Sequence, residues 1–290
     1  MQFSNEARLE AEALGGNQMI FYSRPLGEVS GKRRILVREI REAITTKQLI
    51  LRFQPVVNVK TGKFGKAEAL VRWISPEDGE IKPYDFISIA EDAGLIVEIG
   101  NFVFSETVSL LQKWKKILPP DFQISINLSP QQLRLSRNVA KTWIQILKDK
   151  EISPRSVLLE ITEGMLLEDD RQVINALFEL SNAGLQFCLD DFGTGYSSIS
   201  YLKRLKIHYL KIDQSFIRDI ANNVEDQKIV EGILLLAKNL DIQSIAEGIE
   251  TKTQLDYLTQ FQCEFGQGFY FARPMLPDDF IEWLQDRLNR

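Results

Sequence analysis

Two short segments decide the fold of this chain: VLLEITE at residues 157–163 and QFCLDDFGTG at residues 186–195. In each segment an apolar run leads into paired carboxylates, and such runs are typical of buried parallel strands. An ionised carboxylate costs several kcal/mol to bury without a partner. Because the mouth of a parallel barrel gathers the carboxyl ends of its strands, these acids are expected to converge there on a cation.

Strands and helices alternate outward from these two segments. About eight strand-like runs, from residues 49–59 and 66–73 to residues 264–266, are separated by helical patterns over roughly 250 residues. This alternation predicts an α/β fold, a (β/α)8 TIM-like barrel. The turn at residues 61–63 joins the first two runs into a hairpin, so the barrel is expected to have an antiparallel first strand.

The N-terminal residues differ from the rest in pattern. Residues 6–14 are helical in character, residues 18–22 are strand-like, and residues 25–32 contain Pro, Ser and Gly typical of a linker. A helix is predicted from about Arg34 to Thr46. We therefore divide the chain into an N-terminal helix, strand and linker at residues 1–34 and a barrel domain at residues 35–290.

The composition excludes several kinds of chemistry. The single histidine, His208, excludes Ser-His-Asp hydrolysis and His-rich zinc sites, so any metal would have oxygen ligands, which favours Mg²⁺ or Mn²⁺. The net charge of −5 gives no drive toward nucleic acid polymers or an anionic membrane. No transmembrane run or signal peptide is seen, and Cys188 and Cys263 fit buried thiols of a reducing compartment. These features predict a cytoplasmic segment without membrane contact.

Polar side chains follow nearly every predicted strand. They are Glu68, Asn127, Glu160, Asp190, Asp191, Lys211, Asp213, Glu247 and Gln267. Five carboxylates and an amide could chelate two hard cations about 4 Å apart, and such a site suits attack of hydroxide on a phosphodiester. Two other interpretations stay open from the residues alone. A single Glu at a strand end can be a salt-bridged rim residue, and Lys211 could form a Schiff base as in aldolase-like barrels.

The motifs, in this order, resemble those of the EAL family of cyclic di-GMP phosphodiesterases over residues 35–290. The matching segments are EALVRW at 68–73, NLS at 127–129, EITE at 160–163, DDFGTGYSS at 190–198, KID at 211–213, AEG at 246–248 and QG at 267–268. The resemblance implies hydrolysis of cyclic di-GMP to linear pGpG with two Mg²⁺ or Mn²⁺ ions. Residues 7–22 resemble the last helix and strand of a diguanylate-cyclase (GGDEF) domain, which implies the C-terminal part of a GGDEF–EAL protein.

The same resemblance implies a role for each site residue. The implied metal ligands are Glu68, Asn127, Glu160, Asp190, Asp191 and Glu247, with Asp190 bridging both ions. The implied catalytic and supporting residues are Lys211, which would orient the attacking water, Glu247, Glu163, which would hold the loop at residues 191–198, and Gln267. The implied substrate contacts are Gln54, Leu70, Arg72, Asp213 and Pro274.

The resemblance also bears on assembly and on the main alternative. It implies a homodimer with the loop at residues 191–198 near the interface. Lys206 and His208 stand where many relatives have Pro and Asp, and neither departure is expected to abolish activity. A non-catalytic cyclic di-GMP receptor module is the alternative, and such relatives typically lose metal ligands. Because none of the expected ligands is missing here, an active phosphodiesterase is favoured.

Overall fold

The computed structural model describes residues 24–167, 170–193 and 204–288. Two compact units make up the chain: one takes in residues up to Ile50 together with Trp73–Ile96, and the other takes in Leu51–Arg72 together with the residues from Val97 onward. The predicted helix and strand at residues 6–22, and most of the predicted helix at residues 198–205, lie outside the described residues. None of the helices in the described ranges combines the length and apolar character needed to cross a lipid bilayer.

The elements follow one another in a regular alternation. In chain order they are α1 (Arg24–Thr45), β1 (Leu49–Asn58), β2 (Phe64–Ser75), β3 (Gly79–Ile81), α2 (Pro83–Asp92), α3 (Ile96–Trp114), β4 (Gln123–Asn127), α4 (Pro130–Leu135), α5 (Val139–Asp149), a 3-10 turn (Pro154–Ser156), β5 (Val157–Thr162), α6 (Glu163–Leu167), α7 (Arg171–Asn182), β6 (Gln186–Phe192), β7 (Tyr209–Ile212), α8 (Gln214–Arg218), α9 (Val224–Asn239), β8 (Gln243–Ala246), α10 (Lys252–Gln260), β9 (Phe265–Gly266) and α11 (Pro277–Leu288).

The sheet closes into the predicted barrel. Its strand order is β1-β9-β8-β7-β6-β5-β4-β2-β3, and an additional pairing of β1 with β2 joins the ends. From β2 through β4 to β9 the barrel strands are parallel, whereas β1 runs antiparallel to β9. The prediction of a (β/α)8 barrel with an antiparallel first strand is therefore confirmed. β3 is a short addition that pairs with the end of β2 outside the barrel.

The helix predicted from about Arg34 begins earlier, so residues 25–32, which the sequence predicted as a linker, are helical. α1 begins at Arg24 and continues through residue 34, where the sequence placed the domain boundary. Pro25 lies in the first turn of the helix, where the missing N–H needs no partner. Gly27 and Gly31 each cost about 1 kcal/mol in a helix. The packing of α1 against α2, with Ile40 buried, offsets this cost. The division at residue 34 stays a prediction.

An apolar layer fills the barrel below its mouth. It consists of Val56, Leu158, Cys188, Tyr209 and Ile245, with Phe265 packed against it. On β5 to β8 each of these residues lies two positions before a polar residue, and residues two apart point to the same side of a strand. The barrel interior therefore changes from apolar to ionisable at the carboxyl ends of the strands. Both cysteines are free and buried, as predicted.

Candidate active site

Lys211, at the end of β7, is surrounded by carboxylates. Its Nζ atom lies 2.6 Å from Glu247 Oε1, 2.8 Å from Glu160 Oε2, 3.4 Å from Asp190 Oδ1 and 3.5 Å from Glu68 Oε2. The five residues come from β2, β5, β6, β7 and the segment after β8. Because these strands are parallel, their carboxyl ends meet at one mouth, as the sequence predicted. We call Glu68, Glu160, Asp190 and Glu247 the carboxylate ring.

Two amide side chains hold Glu68 in place. Asn127 donates from Nδ2 to Glu68 Oε1 at 2.9 Å, and Gln267 donates from Nε2 to Glu68 Oε2 at 2.7 Å. The same Gln267 nitrogen donates to Gln54 Oε1 at 3.0 Å, and Gln54 in turn donates to the Ala272 carbonyl at 3.1 Å. Gln267 Oε1 is buried and accepts no hydrogen bond from the described residues. A carboxylate fixed through both oxygens by neutral donors keeps its negative charge available to a cation.

Asp190 and Asp191 reach the same site although they are neighbours in sequence. Successive residues of a regular strand point to opposite faces. The register between β6 and β7 shifts between Leu189 and Phe192, and Asp191 has a left-handed φ of 54°. Oxygen atoms of Asp190, Asp191 and Glu247 consequently lie within 4.8 Å of one another, close enough to share one metal ion.

The ring holds more negative charge than Lys211 can neutralise. Burial lowers the pKa of Lys211, but the surrounding carboxylates outweigh it and hold that pKa well above its usual value. Burial and the charge of Glu68 raise the pKa of Glu160 well above the usual range, and burial raises the pKa of Glu247 to about 7. Burial and Asp190 raise the pKa of Asp191. The raised pKa values of Glu160, Glu247 and Asp191 have the direction expected of carboxylates that are buried close to one another.

The pKa of Glu68 shifts in the opposite direction from those of Glu160 and Glu247. Burial raises its pKa, but Lys211 and the hydrogen bonds from Gln267 and Asn127 together leave it below its usual value. The donor set is made of carboxylates and one amide, all offering oxygen. Such donors suit Mg²⁺ or Mn²⁺ better than zinc. The residues present therefore fit the predicted divalent cations, and Glu68, Asn127, Glu160, Asp190, Asp191 and Glu247 could hold them.

Glu163 lies beside the mouth and outside the ring. Its Oε1 accepts the backbone N–H of Gly193 at 2.8 Å. Gly193 has a φ of 100°, and a Cβ atom there would approach Phe216 to 3.0 Å and Ile233 to 3.2 Å. This hydrogen bond holds the start of the loop at residues 191–198, which Glu163 was expected to hold. The loop beyond Gly193 lies outside the described residues. The second oxygen of Glu163 is buried and has no hydrogen-bond partner within the described ranges.

A cleft of about 280 Å³ adjoins the ring. Four of the five predicted substrate contacts line it: Gln54, Leu70, Arg72 and Pro274. Asp213 does not line it; its carboxylate accepts the Ser215 N–H at 3.0 Å and caps α8. The cleft is also lined by Gln214, Glu250 and Phe269, which the sequence reasoning missed. The only sequence signals were positional, since these residues lie three or fewer positions after Lys211, Glu247 and Gln267.

His208 lies away from this chemistry. It precedes β7, and therefore sits at the opposite end of the strand from the mouth. Its Nδ1 accepts the Phe187 N–H at 3.3 Å, and burial lowers its pKa. The sole histidine thus connects two strands at the base of the barrel and offers no base to the ring.

The chain matches a known protein family and several known proteins. The model of the EAL domain family matches residues 37–274. The bifunctional diguanylate cyclase/cyclic di-GMP phosphodiesterase MucR of Pseudomonas aeruginosa is 35% identical over 278 residues, which cover 96% of this chain and 40% of MucR. The cyclic di-GMP phosphodiesterase PdeR of Escherichia coli is 38% identical over 251 residues, which cover 87% of this chain and 38% of PdeR. The chain thus spans about two fifths of the length of these relatives.

Solved structures show the same fold. A PaMucR phosphodiesterase in complex with c-di-GMP superposes with a TM-score of 0.80 and 37% sequence identity, covering 84% of this chain and 99% of that chain. The EAL domain of FimX from Pseudomonas aeruginosa bound to c-di-GMP superposes with a TM-score of 0.72 and 25% identity, covering 83% of this chain and 96% of that one. The barrel described above is therefore shared with domains that bind this dinucleotide.

Proposed function

Because this chain belongs to the EAL domain family, we propose that it hydrolyses cyclic di-GMP to linear pGpG with the help of two Mg²⁺ or Mn²⁺ ions. The observation that carries the proposal is the convergence of the four ring carboxylates on Lys211, within 3.5 Å of its Nζ atom. The adjoining cleft contains Arg72, whose guanidinium suits a phosphate group. Four carboxylates around Lys211, with Arg72 in the adjoining cleft, suit metal-assisted phosphodiester chemistry.

The metal ions would be held by Glu68, Asn127, Glu160, Asp190, Asp191 and Glu247. When bound, such ions make hydroxide available near neutral pH and offset charge on the phosphoryl oxygens. The protonated Lys211 amine would donate a hydrogen bond to the attacking water and hold it on one side of the phosphorus. Arg72 would hold the phosphate from the cleft, and Gln267 would keep Glu68 oriented.

The protonation state of Lys211 speaks against the Schiff-base alternative. A Schiff base needs a neutral amine, because the lone pair of nitrogen is the nucleophile. The carboxylate ring holds the pKa of Lys211 well above its usual value and so keeps the amine protonated. Enzymes that form Schiff bases arrange the opposite, an amine in an apolar or cationic pocket.

Product analysis separates hydrolysis from simple binding. The chain is incubated with cyclic di-GMP and Mn²⁺, and the products are resolved by chromatography. We expect pGpG from the natural chain and none from Asp190→Asn. Asp256→Asn is the matched control, because Asp256 pairs with Lys252 on the exposed face of α10, and it should retain full turnover. Binding of cyclic di-GMP without pGpG would establish the receptor alternative instead.

Other features of the parent protein stay predictions from the sequence. They are a preceding GGDEF domain, a cytoplasmic location and a homodimer. The relatives MucR and PdeR are longer than this chain, which is compatible with a multidomain parent.

A further inference from the structure

Gln254, in the first turn of α10, is buried and uses its whole amide. Its Oε1 accepts the backbone N–H groups of Glu250 at 2.8 Å and Thr251 at 2.9 Å. Its Nε2 donates to the carbonyls of Ile217 at 3.1 Å and Arg218 at 3.0 Å, at the end of α8. A carboxamide offers two donor hydrogens and two acceptor lone pairs, and all four are engaged here.

These bonds connect two segments that carry the site. The segment at residues 247–251 contains the ring carboxylate Glu247 and the cleft residue Glu250. The other segment, α8, begins three residues after Lys211. At their near end the two segments touch, because a Cβ atom on Gly248 would lie 2.7 Å from the Gln214 side chain. At their far end Gln254 is the connection, so the spacing of the two segments is fixed at both ends.

We propose that Gln254 is a positioning residue that sets the distance between Glu247 and Lys211, and through it the affinity of the site for a divalent cation. The proposal rests on the function proposed above. Glu247 Oε1 lies 2.6 Å from Lys211 Nζ, and the Glu247 N–H donates to the Ile212 carbonyl at 3.1 Å. Glu247 therefore depends on the segment that Gln254 holds. Gln254 does not itself line the cleft, and none of its four hydrogen bonds goes to the side chain of a proposed metal ligand.

The chemistry of the side chain makes the proposal specific. Glutamate can accept the two N–H groups but cannot donate to the two carbonyls, and methionine can do neither. Gln254→Met keeps the length of the side chain and adds no charge, so a change in cation affinity would not be a direct electrostatic effect. Gln254→Glu keeps the acceptor half of the bridge and serves as the second variant if Gln254→Met does not fold.

Gln172 provides a matched control. It also lies in the first turn of a helix, α7, and its Nε2 donates to two helix-end carbonyls, those of Leu133 at 2.5 Å and Arg134 at 2.8 Å. None of these partners belongs to the carboxylate ring or lines the cleft. Gln172→Met therefore removes two bonds of the same kind without loosening Glu247.

The experiment measures Mn²⁺ binding directly, by electron paramagnetic resonance of free Mn²⁺, together with thermal unfolding. Loss of support behind a metal ligand costs roughly 10–100-fold in metal affinity. We expect Gln254→Met to raise the Mn²⁺ dissociation constant about 10-fold, at the lower end of that range. Gln172→Met should leave it unchanged while lowering the unfolding temperature by a similar amount. Excess Mn²⁺ should restore hydrolysis in Gln254→Met.

Two results would overturn the proposal, and they are distinguishable. If Gln254→Met binds Mn²⁺ as the natural chain does and only unfolds earlier, Gln254 has a structural role alone, and the proposed function stands. If the natural chain itself binds no Mn²⁺, the metal assignment fails first, and the role of Gln254 fails with it.

Discussion

Two buried lysines of the described barrel residues, Lys211 and Lys66, should lose very different amounts of stability when each is replaced by Met. Lys211 lies among four carboxylates, whereas Lys66 forms no ion pair within the described ranges. Lys66 instead donates to Gln123 Oε1 and to the Tyr209 hydroxyl, and its Nζ lies 4.3 Å from the centre of the Tyr209 ring. Burial lowers the pKa of Lys66 to about 8. Lys211→Met and Lys66→Met are therefore a matched pair.

The loss of stability in each variant depends on which buried groups lose their partner when the lysine is replaced. Removing one partner of a buried ion pair typically costs about 3–5 kcal/mol, since the other charge stays uncompensated. For a domain of this size 1 kcal/mol shifts the unfolding temperature by roughly 2–4 °C, so Lys211→Met should unfold roughly 10 °C lower in EDTA. Lys66→Met removes a buried cation, and Tyr209 still donates to Gln123 Oε1 at 2.9 Å. Its free energy of unfolding should change by about 1 kcal/mol or less.

The assay is thermal unfolding of both variants at pH 7.5, in EDTA and in excess Mn²⁺. Because bound cations compensate the carboxylates in place of the lysine, Mn²⁺ should recover part of the stability that Lys211→Met loses. Hydrolysis by this variant should stay low, with kcat reduced more than KM is raised, because a water-orienting group acts mainly in the transition state. If Lys211→Met in EDTA is no less stable than Lys66→Met, the carboxylate ring is not the charged cluster inferred above.

Four further outcomes are expected. Glu163→Gln loses the charge on the acceptor of the Gly193 N–H, and the Mn²⁺ concentration for half-maximal hydrolysis should rise about 10-fold or more, with the circular dichroism spectrum unchanged. Ca²⁺ should not support hydrolysis, since it prefers more ligands at about 2.3–2.6 Å; full turnover in EDTA-treated, Ca²⁺-supplemented buffer would contradict this. The raised pKa of Glu247 contributes stability that is complete below its unfolded value of 4.5 and is lost as pH rises through about 7. In EDTA, the unfolding temperature of Glu247→Gln should therefore decrease less between pH 4.5 and about 7 than the unfolding temperature of the natural chain does. Light scattering at tens of micromolar should give a homodimer, and a fully active monomer would argue against a dimer that supports catalysis.

The position of the site could be predicted because it depends on local pattern and topology. Short apolar runs end at Glu160, Asp190 and Lys211, and a parallel barrel brings all strand ends to one mouth. The barrel strands were accordingly placed to within a few residues of their observed bounds, whereas the short strand β3 was not predicted. The helix α1 was partly missed because Pro25 and two glycines favour a linker locally, and the packing that stabilises the helix involves α2, far along the chain.

The connections within the site were less predictable because they join distant residues. Gln267 donates to Gln54 and to Glu68, which are 213 and 199 positions away in sequence. Such contacts exist only once β1 and β9 pair and the barrel is closed. The hydrogen bonds from Gln254 to α8 also join distant residues. The Thr251-x-x-Gln254 pattern is typical of a helix start, but it does not indicate that Gln254 donates to the carbonyls of Ile217 and Arg218. Local sequence thus indicates which groups reach the mouth, and barrel closure decides which of them touch.

An irregular backbone at the end of β6 brings the side chains of both Asp190 and Asp191 to the site. A regular strand would direct only one of them inward, and the register shift allows both to reach Glu247. The left-handed φ of Asp191 costs about 1 kcal/mol or more. Two hydrogen bonds hold it: the Asp191 N–H donates to Asp190 Oδ1 at 3.0 Å, and the Gly193 N–H donates to Glu163. A strained residue that its neighbours hold from both sides is characteristic of a functional site. Under the proposed metal assignment, Glu163 would stabilise a conformation that brings a third carboxylate oxygen beside those of Asp190 and Glu247.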